Sequence, residues 1–202
     1  ALRAEPEDRV EFALHHLQSG KYLQYGSVFS STSDGTLTAE SFNVVVDQTV
    51  VDSSQSYGYT AQTRSVCQRF TFEKVGTGDN AYYHILPYLR LQTDAANSDT
   101  IEIKGSYRSE YRLAVVNGVV KVVQIPVTNG EAEDPTSGRW ILQKIAGGKY
   151  RIFNVAANQA LTIENNALSL SSGTTDILWE LKAISLAMEK DYQQYTNTCG
   201  AA

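Results

Sequence analysis

Residues Phe12-Ala13-Leu14-His15-His16-Leu17-Gln18-Ser19-Gly20-Lys21-Tyr22-Leu23-Gln24-Tyr25 lie without a gap over Tyr150-Arg151-Ile152-Phe153-Asn154-Val155-Ala156-Ala157-Asn158-Gln159-Ala160-Leu161-Thr162-Ile163. Aromatic meets aromatic, Leu14 meets Ile152, the turn residue Gly20 meets Asn158, and Leu23 meets Leu161. A third copy starts at Tyr83-His84-Ile85. Each copy closes with a run led by an aromatic residue: Phe70-Thr71-Phe72-Glu73-Lys74-Val75, Trp140-Ile141-Leu142-Gln143-Lys144-Ile145 and Trp179-Glu180-Leu181-Lys182-Ala183-Ile184. Self-similarity at a fixed order of elements is the mark of a repeat architecture.

The local pattern within each copy has period two. Alternation over five to seven residues means a strand with one buried face. Tyr111 to Val116, then Asn117-Gly118, then Val119 to Val123 is the strongest single signal, because Asn-Gly supplies the positive φ of a type I′ turn. Leu161 to Glu164, Asn165-Asn166, Ala167 to Leu170 reads the same way more weakly. The order is opening strand, turn, hairpin, closing strand, and three such copies give twelve strands. The one stretch with helical character is Leu186 to Tyr195, where Ser185 offers an N-cap.

The copies are unequal. Trp140 follows Phe70 by 70 positions and Trp179 follows Trp140 by 39, so the second copy carries about 31 additional residues. Most fall between Tyr83 and Leu113, and the rest within Gln124 to Gly138. The first copy has its own surplus from Ser41 to Val66. Insertions of this kind sit in surface loops, and surface loops carry recognition.

Composition bounds the chemistry. The chain has 202 residues, 42% of them apolar and 19% charged, enough for a full core without metal or disulfide staples. A net charge of -5 and a pI of about 5.2 oppose binding to a nucleic-acid backbone or an anionic lipid surface. No apolar run approaches the roughly 18 residues of a spanning helix. There is no GxSxG, P-loop or GxGxxG motif, and no metal spacing among Cys67, Cys199, His15, His16 and His84. The expectation is therefore a protein that is not an enzyme and needs no cofactor and no metal. Cys67 and Cys199 are either one disulfide, if the protein is exported, or two separate thiols. As a disulfide they would close a loop worth on the order of 4–5 kcal/mol in the chain-entropy model.

Three copies of about 40 residues, each closed by a Trp- or Phe-led strand, resemble a β-trefoil, and more narrowly the ricin-B-type lectin-like group. That family closes its repeats with Gln-x-Trp. The matching positions here read Gln68-Arg69-Phe70, Gly138-Arg139-Trp140 and Ile177-Leu178-Trp179, so the first keeps the Gln and the other two keep the Trp. The resemblance implies an all-β, twelve-stranded pseudo-threefold domain with repeats at about 10–75, 76–145 and 146–184 and a tail at 185–202. It places Trp140 and Trp179 in the core. It also implies a non-catalytic carbohydrate-binding domain of a secreted or cell-surface protein, extracellular once any signal peptide is removed. A protein-binding trefoil, such as a protease inhibitor presenting a long inserted loop, is the alternative. The ligand is thus a glycan or a protein.

Sugar-binding relatives carry an Asp after the Leu of the second strand. The matching residues are Gln24 in the first copy, Arg112 in the second and Thr162 in the third, and none is Asp. The third copy also lacks an aromatic after its hairpin, so the binding surface is expected on the first and second copies. Two loops mix Tyr with Ser and Gly as binding loops do: Ser53 to Thr60, with Tyr57 and Tyr59, and Gly105 to Tyr111, with Tyr107 and Arg108. Gln24, Tyr57, Tyr59, Tyr107 and Arg108 are the candidate ligand contacts. The acidic run Glu131-Ala132-Glu133-Asp134 reads as a solvated loop.

Overall fold

The threefold pattern of residues becomes a threefold pattern of backbone pairing. A computed structural model describes residues 2–3, 10–25, 29–30, 41–47, 69–93, 102–145, 147–165, 167–175 and 177–183. Twelve strands carry the repeat. The first copy supplies β1 (Phe12–His16), β2 (Tyr22–Tyr25), β3 (Ser41–Asp47) and β4 (Phe70–Val75). The second supplies β5 (Tyr82–Pro87), β6 (Tyr111–Val116), β7 (Val119–Gln124) and β8 (Trp140–Lys144). The third supplies β9 (Lys149–Asn154), β10 (Gln159–Glu164), β11 (Ala167–Ser171) and β12 (Trp179–Ala183).

Each closing strand pairs with the next opening strand in one register. Phe70 faces Pro87 and Phe72 faces Ile85; Trp140 faces Asn154 and Leu142 faces Ile152; Trp179 faces His16 and Leu181 faces Leu14. The other three seams are set the same way, Phe12 against Phe70, Tyr83 against Trp140 and Tyr150 against Trp179. The six strands close into a ring in the order β1-β4-β5-β8-β9-β12, which removes free edges. The pairs β2–β3, β6–β7 and β10–β11 complete the three copies, and β7 also pairs with β3. This is a β-trefoil, as the repeats imply.

The core follows from the same register. Leu14, Ile85 and Ile152 occupy one symmetric set, and Phe70, Trp140 and Trp179 another, all fully buried. A buried indole needs an acceptor. Trp140 Nε1 donates to the carbonyl of Leu113 at 2.8 Å, and Trp179 Nε1 donates to that of Leu161 at 2.9 Å. The turns match too. Gly20 and Asn158 both hold positive φ, and each donates its N–H to the residue four earlier, His16 or Asn154, at 2.9 Å. Asn117-Gly118 adopts φ of 50° and 78°, the turn its sequence demands.

The second copy's surplus has structure of its own. Leu89–Thr93 pairs antiparallel with Glu102–Ser106 and parallel with Phe29–Ser30. A two-residue ladder, Val127–Thr128 with Glu131–Ala132, turns at Asn129-Gly130. Tyr57, Tyr59, Cys67, Gln68, Cys199 and the Leu186 to Tyr195 stretch lie outside the described residues. Among the described residues no helix is long and apolar enough to cross a membrane.

Candidate functional site

Both insertions of the second copy converge on one place. Alternation along β4 buries Phe70 and Phe72 and turns Glu73 outward; in the adjacent β5 the residue facing it is His84. His84 Nε2 donates to Asp134 Oδ1 at 2.8 Å, and its Nδ1 lies 3.7 Å from Glu73 Oε1. Ser109 Oγ donates to Glu73 Oε2 at 2.6 Å. Asp134 also accepts from the hydroxyl of Tyr82, lies 3.2 Å from Arg139 Nε and receives an Arg139 bond on its backbone carbonyl at 2.7 Å. Arg139 in turn sits over the Tyr82 ring, 4.8 Å from its centroid.

Arg112 ties the two insertions together. It is 3% exposed; its Nε donates to the carbonyl of Ser109 at 2.7 Å and its Nη1 to that of Glu133 at 2.9 Å. Its Nη1 is 3.7 Å from Asp134 Oδ1. Burial lowers the guanidinium's pKa, while Asp134 and Glu73 act against that shift. His84, 3.7 Å away, holds the Glu73 carboxyl below its ordinary value, against the effect of burial and with help from Ser109. Burial pushes Asp134 up, but the bonds from Tyr82 and His84 and the charge of Arg139 outweigh it, and its pKa also ends below the ordinary value.

Above this network is an open cleft of about 710 Å³, lined among others by Glu73, Lys74, His84, Ser109, Arg112 and Glu131. Its walls present carboxylate acceptors, a hydroxyl and cationic donors side by side. Ser109 hydrogen-bonds a carboxylate rather than an imidazole, and both His84 nitrogens face carboxylates. This cluster therefore lacks the nucleophile–base contact of acyl transfer.

The expected contacts are distributed unevenly. Gln24 lies in β2 opposite Val45. Tyr57 and Tyr59 fall outside the described residues. Tyr107 is half-buried, edge-on to Tyr88 with centroids 5.1 Å apart. Arg108 is paired with Glu110 and lies 5.8 Å from the Tyr111 ring centroid. From the Gly105 to Tyr111 loop it is Ser109 that lines the cleft. Two sequence readings are corrected. The residue matching Thr162 is Ala114, not Arg112, because the two indoles bond the carbonyls of Leu113 and Leu161, which fixes those leucines as equivalent. In the acidic run Glu131 and Glu133 are exposed, as expected of a solvated loop, but Asp134 is the exception: it is the hub that fastens its loop to the barrel. His84 and Glu73 went unread, although strand alternation from Phe70 and Phe72 places Glu73 on the outer face.

The histidine pair resolves by position. His16 stands where the third copy has Asn154, and both accept from the turn N–H three residues on: Ser19 N–H to His16 Nδ1 at 3.2 Å, and Ala157 N–H to Asn154 Oδ1 at 2.9 Å. His16 is thus a turn-capping residue. His15 stacks on Tyr22 with centroids 4.5 Å apart.

No family model and no curated protein matches the chain. Solved structures similar to it include the following three. A designed threefold-symmetric protein, ThreeFoil, shares 17% identity at a TM-score of 0.44, over 85% of this chain and 97% of its own. SeviL, solved bound to the asialo-GM1 saccharide, shares 14% at a TM-score of 0.43, over 87% and 98%. A salivary protein from Culex quiquefasciatus of the Cysteine and Tryptophan-Rich family shares 14% at 0.46, over 90% and 98%. All three scores are below 0.5, and the fold assignment rests on the strand register.

Proposed function

We propose that this chain is a non-catalytic carbohydrate-binding module of a secreted or cell-surface protein, with the second-copy cleft as its ligand site. The observation that carries this reading is the cleft itself: fixed donors and acceptors, held by a second layer of hydrogen bonds, on a rigid barrel face. Preorganised polar groups on regular elements bind with little ordering cost. Gln24, Tyr57, Tyr59, Tyr107 and Arg108 are kept as further candidate ligand contacts of the module. A glycan array run beside a protease-inhibition panel tests it. Binding to a glycan class without inhibition supports the module; inhibition without glycan binding overturns it.

One observation favours a protein partner as the second reading. Val116 and Val119, at the tip of the β6–β7 hairpin, are 38% and 52% exposed, and Val127 is 55% exposed. An apolar hairpin tip is a feature that a partner's groove can cover.

A further inference from the structure

We infer that Glu73 and Arg112 act as an acceptor–donor pair for neighbouring hydroxyls of an uncharged glycan, and that the cleft selects against acidic sugars. This rests on the carbohydrate reading and specifies it. The site is separate from the position where relatives carry their Asp, which here is the buried Ala114.

Three features lead to the pair. First, Arg112 is buried yet lines the cleft, and among the described residues its hydrogen bonds engage Nε and Nη1, leaving Nη2 for a ligand. Second, Glu73 has Oε2 occupied by Ser109, while Oε1 is 3.7 Å from His84, beyond hydrogen-bond length. That oxygen retains capacity to accept, and Glu73 is itself about a third exposed. Third, the charged groups lining the cleft cancel: Glu73 and Glu131 against Lys74 and Arg112. Asp134, 3.7 Å from Arg112, further offsets the guanidinium.

A hydroxyl both donates and accepts, so adjacent hydroxyls satisfy Glu73 and Arg112 together. A ligand carboxylate accepts from Arg112 but meets Glu73 and Glu131 without a proton to give them. The chain's net charge of -5 adds repulsion at longer range. The aromatic residue lining the cleft, Phe72, is 1% exposed, so recognition here proceeds by hydrogen bonds rather than ring stacking.

The experiment measures the full chain against paired oligosaccharides that differ by a terminal neutral sugar or a terminal carboxylate-bearing one. The native protein and the Glu73→Gln variant are compared, each checked by its unfolding midpoint. Glu73 lies outside the core and Gln keeps its shape, so the variant should fold. The expected result is neutral ligand bound roughly tenfold more tightly than acidic by the native chain, with that preference collapsing in Glu73→Gln. Equal or tighter binding of the acidic partner, or an unchanged preference in Glu73→Gln, overturns the inference and leaves the module standing. Binding of neither ligand type overturns both.

Discussion

Two seams of the barrel have the same register and opposite surroundings. At the β4–β5 seam the outward cross-strand pair is Glu73 and His84; at the β8–β9 seam the same two positions hold Gln143 and Arg151. Inside, the seams are interchangeable, Phe72 on Ile85 against Leu142 on Ile152. Outside, the first is covered by two inserted segments and carries a charged network. At the second, Arg151 Nη1 lies 3.5 Å from Gln143 Oε1, and a four-residue turn, Val155 to Asn158, replaces the long insertion. The pseudo-symmetry therefore preserves the packing and leaves the outward positions and loop lengths free to differ. The candidate site lies where the copies differ.

The largest expected effect tests the interchangeable half of this comparison. Trp140→Ala and Trp179→Ala should each lose about 3–5 kcal/mol, because each removes a fully buried indole and orphans a carbonyl. Denaturant unfolding that finds one severe and the other mild would break the equivalence of the copies.

The next effect tests the differing half. Asp134→Ala should cost about 1–3 kcal/mol, since it leaves Tyr82, His84 and Arg112 short of an acceptor or counter-charge. Gln143→Ala, at the plain seam, should stay within about 0.5 kcal/mol. Similar losses in the two would remove the contrast.

Acid should act on the same seam. Glu73 and Asp134 have pKa values depressed in the folded state, so their contribution is present above the unfolded carboxylate range and is lost as pH falls through the folded values. The native protein should lose stability on acidification below about pH 4, and Asp134→Ala should lose less. Parallel pH profiles for the two proteins would show that the network does not titrate as described.

The smallest expected change in stability belongs to the first copy's loop. Tyr57→Ala with Tyr59→Ala should weaken ligand binding while keeping the melting temperature. A lower melting temperature would place the rings in a core, and full binding would place the site elsewhere.

The fold was legible because its signals are local. Period-two runs, the Asn117-Gly118 turn and the aromatic-led closing strands each reveal themselves within about ten residues. The site was not, because its partners are distant: His84 and Asp134 are 50 positions apart, and Ser109 and Glu73 are 36 apart. Only the packing of the insertions brings them together. The placement of Arg112 failed for a different reason. The hairpin turns at Asn117 and Asn165 both hold a left-handed residue, with φ of 50° and 51°. Counting back from those turns puts Ala114, not Arg112, beside Thr162, so the signal was present in the turn rather than at the strand start.

The most direct test follows backbone and side-chain resonances of labelled protein while adding the neutral oligosaccharide that gives the strongest array signal. Shifts should concentrate at Glu73, Ser109, Arg112 and Glu131, with Gln143, Arg151 and the Val155 to Asn158 turn unmoved. Shifts centred on the third copy, with the second-copy cleft silent, would contradict the assignment of binding to the insertions.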